Sequence, residues 1–183
     1  MNIKTTSIAI LIGVSILASC STGNNCEEEN KKSETIINNL KMDNIMKEEQ
    51  LKNNKEVALN LSRAIMKGNW HEVDNLIADD FKYEADGRPA IGKQEYIGFM
   101  KGVLSTAFTD MDMDFLRVIA EGDLISVDYT NKMTHAGVFF GIAATNKRVI
   151  ATGQFIREVK NGKVTSEWQT TNSAGLMQQL TGK

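Results

Sequence analysis

The chain has 183 residues, 21 of them basic and 23 acidic, for a formal charge of −2, and no stretch gathers its lysines or arginines into a cluster. That pattern excludes nucleic-acid binding, which needs a concentrated cationic surface. Two cysteines and one proline also exclude a disulfide-stapled scaffold and a proline-rich one.

Residues 1–19 read as a signal segment. Lys4 is its only charge, and an apolar run from Ile8 to Leu17 follows. That run is too short for a spanning helix of about 20 residues. It ends in Leu17-Ala18-Ser19-Cys20. Small residues before a cysteine match the bacterial lipobox, so Cys20 is expected to become a lipidated N-terminus. Several acyl chains, at about 0.8 kcal/mol per buried methylene, make a stable bilayer anchor. Ser21 after the cysteine points to the outer membrane of the cell envelope. Without the segment, 20 basic residues stand against 23 acids, near −3. Cys26 is then a lone thiol, with no partner for a disulfide and none for a zinc site.

Residues 20–54 form a polar tether rich in Asn, Lys and Glu. Ile36, Ile37, Leu40, Ile45 and Met46 hint at a helix with a narrow apolar stripe, capped by Ser33. The folded domain is expected over residues 55–183, a common single-domain size.

Three helices open that domain. Glu56–Lys67 repeats Val57, Leu61, Ala64 and Ile65 at helical spacing, and Gly68-Asn69 ends it. Trp70–Ile77 is a second, short helix. A short strand, Phe81–Glu84, and a turn at Asp86-Gly87-Arg88-Pro89 follow. Lys93–Thr106 is the third helix. The period then changes from 3.6 to 2. Strands are expected at Asp112–Glu121, Leu124–Thr134, Arg148–Val159 and Lys163–Thr171. Turns at Glu121-Gly122-Asp123 and Asn161-Gly162 join two pairs of them. In the second, Ile125, Val127, Tyr129, Met133 and His135 share an apolar face, the mark of an antiparallel sheet buried on one side. In the last, Val164, Ser166, Trp168, Thr170 and Asn172 share a face by parity, which turns Glu167 outward. A short amphipathic segment closes the chain. Gly137, Gly141 and Gly153 read as bends or bulges.

The fold class is therefore α+β. A curved antiparallel sheet of four long strands, plus a short early strand, is wrapped by three N-terminal helices into a cone with an apolar pocket. Phe99, Tyr129, Phe140, Trp168 and Tyr83 are the aromatic candidates for its wall. His71 reads as a surface residue. Two histidines far apart, without an acidic motif, argue against a metal site. The chain has no nucleophile elbow, P-loop or dinucleotide fingerprint, and no cofactor is expected.

Several segments resemble the SnoaL-like polyketide cyclases, also known as ester cyclases. They are Lys67-Gly68-Asn69 with Asp79-Asp80-Phe81, Ala107-Phe108-Thr109-Asp110, Ile119–Asp123, His135–Gly141, Arg157–Val164, Glu167-Trp168 and Gly175–Leu180. The resemblance implies the cystatin-like cone fold shared with nuclear transport factor two and ketosteroid isomerase. It also implies aldol ring closure, in which a carboxylate in an apolar pocket takes a proton from carbon and a donor holds the oxyanion. The family's acid/base aspartate lies four residues after the last-strand tryptophan, with a histidine matching His135 nearby. Here that position is Asn172, and an amide cannot take a proton from carbon. The expected function is thus binding of a small, largely apolar or carbonyl-containing molecule by a membrane-anchored domain. One alternative is a cyclase or isomerase with His135 as base and Asn172 orienting a carbonyl. The other is an interaction module, and the resemblance implies a homodimer through the sheet.

Overall fold

The computed structural model describes residues 23–182. Cys20 and residues 1–19, where a signal segment was expected, lie outside them. The described residues divide into two units, with the boundary between residues 43 and 44. Helix α1 spans Gly23–Met66 and contributes to both. Its residues Ile36, Ile37, Leu40 and Met42 in the first unit are exposed. The helix thus begins well before both Ser33 and Glu56. Residues 23–54 hold almost nothing that breaks a helix, and Asn, Lys and Glu sustain one without a buried face. No helix among the described residues is long and apolar enough to cross a membrane.

In the second unit, Ala58, Leu61, Ala64 and Ile65 of α1 are buried in the core. Helix α2 (Trp70–Leu76) follows, its first turn capped by Asn69, whose side chain accepts from the Glu72 N–H. Strand β1 is nine residues long, Ile77–Ala85, rather than four. It pairs antiparallel with the two-residue β2 (Ile91–Gly92) and parallel with the last strand. Helix α3 (Lys93–Phe99) passes into a π-helical stretch, Met100–Leu104, and a last turn, α4 (Ser105–Ala107). Four long strands complete the molecule: β3 (Phe108–Glu121), β4 (Leu124–His135), β5 (Arg148–Lys160) and β6 (Lys163–Thr171). Helix α5 (Ser173–Thr181) closes it. The sheet order is β2-β1-β6-β5-β4-β3, and the four long strands pair antiparallel. This is the expected α+β class, a curved open sheet with helices on its inner face.

The register of β6 against β5 departs from simple alternation. Val159 faces Val164, but the preceding Glu158 faces Ser166. One extra residue in β6 reverses its parity. Val164 is buried as expected; beyond it Glu167 is buried, while Trp168 turns outward and is 40% exposed. The sequence reading, which put Glu167 out and Trp168 in, is corrected here, and the bulge is the reason.

Two apolar clusters build the core. One joins the helices to β1, β4 and β5 through residues such as Leu61, Phe81, Tyr96, Val127 and Phe155. The other gathers Phe108, Met133, Phe139, Val149, Leu176 and Leu180 beneath α5.

Candidate functional site

A cavity of about 340 Å³ has walls drawn from both clusters. Its apolar wall includes Met66, Phe99, Met100 and Leu104 from the helices, Phe108, Met113 and Met133 from the sheet, and Leu176 and Met177 from α5. Five of these nine are methionines, whose unbranched thioethers pack without a fixed shape. Phe139 and Phe140 come from the β4–β5 loop, and Arg88 stands over the Phe140 ring at 5.9 Å.

The polar wall is a short relay across three strands. Tyr83 on β1 donates to Gln169 Oε1 at 2.8 Å. Gln169 Nε2 on β6 donates to the Tyr129 hydroxyl on β4 at 2.7 Å. Tyr129 in turn shares a 3.1 Å hydrogen bond with Thr171. Burial, and then the nearby Glu167 carboxylate, push the Tyr83 phenol well above its ordinary range. Burial also raises Tyr129, although hydrogen bonds from Thr171 and Gln169 work against it. Both phenols therefore stay neutral at physiological pH and act as hydrogen-bonding groups. Gly153 makes this possible: a β-carbon there would stand 2.7 Å from the Tyr129 hydroxyl and 2.4 Å from the Thr170 carbonyl. Close approach explains this glycine, where a bend or bulge was expected.

Behind the relay lies a sealed charge pair. Glu167 and Arg157 are each 2% exposed and meet at 2.7 Å. Arg157 also donates to the Ala58 carbonyl and to Ser62 Oγ of α1, and stacks over Phe155 at 4.1 Å. Burial alone would lower the arginine's pKa, but the adjacent carboxylate raises it overall. Tyr96 completes the pair at 3.4 Å from Glu167 and packs 4.9 Å from Tyr83. Glu167 is thereby occupied, and it does not line the cavity. Among the described residues, Asp86 is the one carboxylate on the lining; it is exposed at the mouth and accepts the Thr171 N–H.

The structure separates the residues singled out in the sequence. Tyr83, Phe99, Tyr129 and Phe140 stand on the cavity wall. Trp168 lies in a different depression, with Ile156 on the outer sheet face. His135 is fully buried beside Phe108 and is not a lining residue. Its Nδ1 accepts the Thr145 N–H at 3.2 Å, which ties down the β4–β5 loop. Asn172 is exposed; its side chain accepts the Gly175 N–H at 3.0 Å and caps α5. His135 and Asn172 thus serve loop and helix geometry, and the cavity does not bring them together. Asn131, Gln169 and Thr171 went unnoticed in the sequence. Asn131 could have been found, because it lies between Tyr129 and Met133 on the same face of β4; the other two were hidden by the bulge.

A polyketide cyclase family model, the SnoaL-like one, matches residues 55–180. The chain belongs to the SnoaL-like polyketide cyclase family. No curated protein matches it significantly. Among solved structures it is similar to a protein from Jannaschia sp. CCS1 assigned as a SnoaL-like polyketide cyclase, with 20% identity and a TM-score of 0.67 over 73% of this chain and 95% of that one. AclR from Streptomyces galilaeus, assigned as a hydroxylase, is 21% identical with a TM-score of 0.67, over 73% of this chain and 83% of that one. An epoxide hydrolase of M. tuberculosis, of the LEH-like kind, is 16% identical with a TM-score of 0.58, over 72% and 91%. Three assignments on one fold mean that the fold does not choose the reaction; the cavity must.

Proposed function

We propose that this SnoaL-like domain binds one small, largely apolar molecule in the cavity, and that it does so without the aspartate-driven ring closure of its family. The observation that carries this reading is the lining itself. Apolar side chains surround a neutral relay of Tyr83, Gln169, Tyr129 and Thr171, while the amide at the family's aspartate position caps a helix. Such a wall can hold and orient a carbonyl or hydroxyl, and has no inner group suited to taking a proton from carbon. In the same reading Cys20 carries lipid and holds the domain at the cell envelope, with residues 20–54 as the tether.

The test is direct binding. 2-Acetylnaphthalene, followed by its fluorescence, is expected to bind the full-length chain in detergent with a micromolar Kd. Ala151→Trp places an indole in the cavity and is expected to weaken binding at least tenfold. Equal affinity in the variant would place the ligand elsewhere and end the proposal. For the anchor, Cys20→Ser is expected to shift the protein from the membrane pellet to the soluble fraction; continued pelleting with membranes would refute lipidation at that residue.

One further surface favours a second, compatible role. Trp168 and Ile156 are cross-strand partners on the outer sheet face and are 40% and 41% exposed. A second copy of the chain would bury this row, and dilution-dependent sedimentation of the wild type against Trp168→Glu measures whether it does.

A further inference from the structure

Two buried side-chain atoms among the described residues have no hydrogen-bond partner, Asn131 Oδ1 and His135 Nε2. Asn131 alone of these two residues lines the cavity. It is 5% exposed and sits on β4 between two lining residues, Tyr129 and Met133. Its amide nitrogen faces Met66 Sδ at 3.6 Å and Met133 Sδ at 3.9 Å. A thioether accepts and never donates, so the sulfurs fix the amide's orientation: nitrogen toward the methionines, oxygen unpartnered. An unpartnered buried carbonyl costs roughly 1–3 kcal/mol, and Asn131, a lining residue, carries one.

Proton counting at the relay gives a second, opposite vacancy. Gln169 Nε2 already donates to the Tyr129 hydroxyl. Tyr129 and Thr171 share one hydrogen bond in which either oxygen can be the donor. Two hydroxyl protons serve one bond, so one proton is left over whichever way the bond runs. Tyr129 and Asn131 are two residues apart on one strand face, about 7 Å along the chain.

We infer that the cavity selects a ligand carrying both a hydroxyl and a carbonyl on a compact apolar frame, with Asn131 Oδ1 accepting from the ligand's hydroxyl and the Tyr129–Thr171 pair donating to its carbonyl. Asn131 is thereby a specificity-determining residue. This rests on the cavity-binding reading above and narrows it to hydroxy-ketones and hydroxy-esters. It also runs against hydrophobicity, because adding a hydroxyl to an apolar ligand ordinarily weakens its transfer into an apolar pocket.

The experiment compares 6-acetyl-2-naphthol with 2-acetylnaphthalene by fluorescence titration of the full-length wild type and of Asn131→Leu. The wild type is expected to bind the naphthol at least tenfold tighter. In Asn131→Leu the two affinities are expected to come within twofold, with 2-acetylnaphthalene bound at least as well as before. Asn131→Leu removes an unpartnered buried carbonyl and only weak N–H···S contacts, so its Tm is expected at or above the wild-type value. Equal affinities in the wild type overturn the inference with no need of the variant, and leave cavity binding standing. A tenfold preference that survives Asn131→Leu overturns Asn131's role in the same way. Failure of the wild type to bind either naphthalene removes the cavity-binding reading, and this inference with it.

Discussion

At the scale of single residues, the buried phenols set a pH limit on the fold. Burial raises Tyr83, Tyr96 and Tyr129 above the usual value of 10.0. An unfolded chain would release these protons from about pH 10 upward while the folded chain keeps them. The folded state then binds more protons than the unfolded one, so stability is full below pH 10 and falls as pH rises past it. Denaturant titrations at pH 8, 10 and 11 are expected to show that decline. Tyr83→Phe, which removes one of the three phenols, is expected to show a shallower one. An unchanged slope in the variant would mean that Tyr83 ionises as freely folded as unfolded.

Among the elements, α5 shows how a helix can finish a sheet. Strand β6 stops at Thr171, opposite Gly153, while β5 runs on to Arg148. Ile150 therefore has no β6 residue beside it. The Gln179 side chain fills the place: its Oε1 accepts the Ile150 N–H and its Nε2 donates to the Ile150 carbonyl, both at 2.8 Å. A side-chain amide here acts as one more residue of β6. Gln179→Ala is expected to destabilise by about 1–2 kcal/mol, since two exposed hydrogen bonds at roughly 0.5–1.5 kcal/mol each pass to water. Hydrogen exchange is the sharper check: the Ile150 amide should lose protection while Val127 in mid-sheet keeps it. The same helix illustrates what a sequence discloses. Gln178-Gln179-Leu180 was legible as part of a family pattern, but the amide's pairing with Ile150 needs the strand ends in space. Long alternating strands such as Leu124–His135 are legible because period 2 survives over twelve residues. Glu167, Gln169 and Thr171 were not, because one inserted residue inverts parity and leaves no trace in composition.

For the whole molecule, the Arg157–Glu167 pair is the tie between α1 and the sheet. Both charges are out of water, and the Ala58 carbonyl and Ser62 Oγ accept from the guanidinium's Nη1. Removing one partner strands the other, so Glu167→Leu is expected to cost about 3–5 kcal/mol. The double variant Arg157→Met with Glu167→Leu should recover most of that loss, because an apolar pair of similar volume leaves no buried charge. Urea midpoints of the three chains measure this, and a double variant as unstable as the single one would contradict it. The buried acid Glu167 is thus spent on the frame and not on the cavity wall. The methionine lining has a consequence of its own. Met66, Met100, Met113, Met133 and Met177 form one soft wall, and a thioether that gains an oxygen becomes a polar, chiral sulfoxide. An oxidant reaching the cavity would rewrite its solvent character without touching the backbone, and a reductase that removes the oxygen would restore it. The wall's repair state, as much as its shape, would then decide whether an apolar guest is welcome.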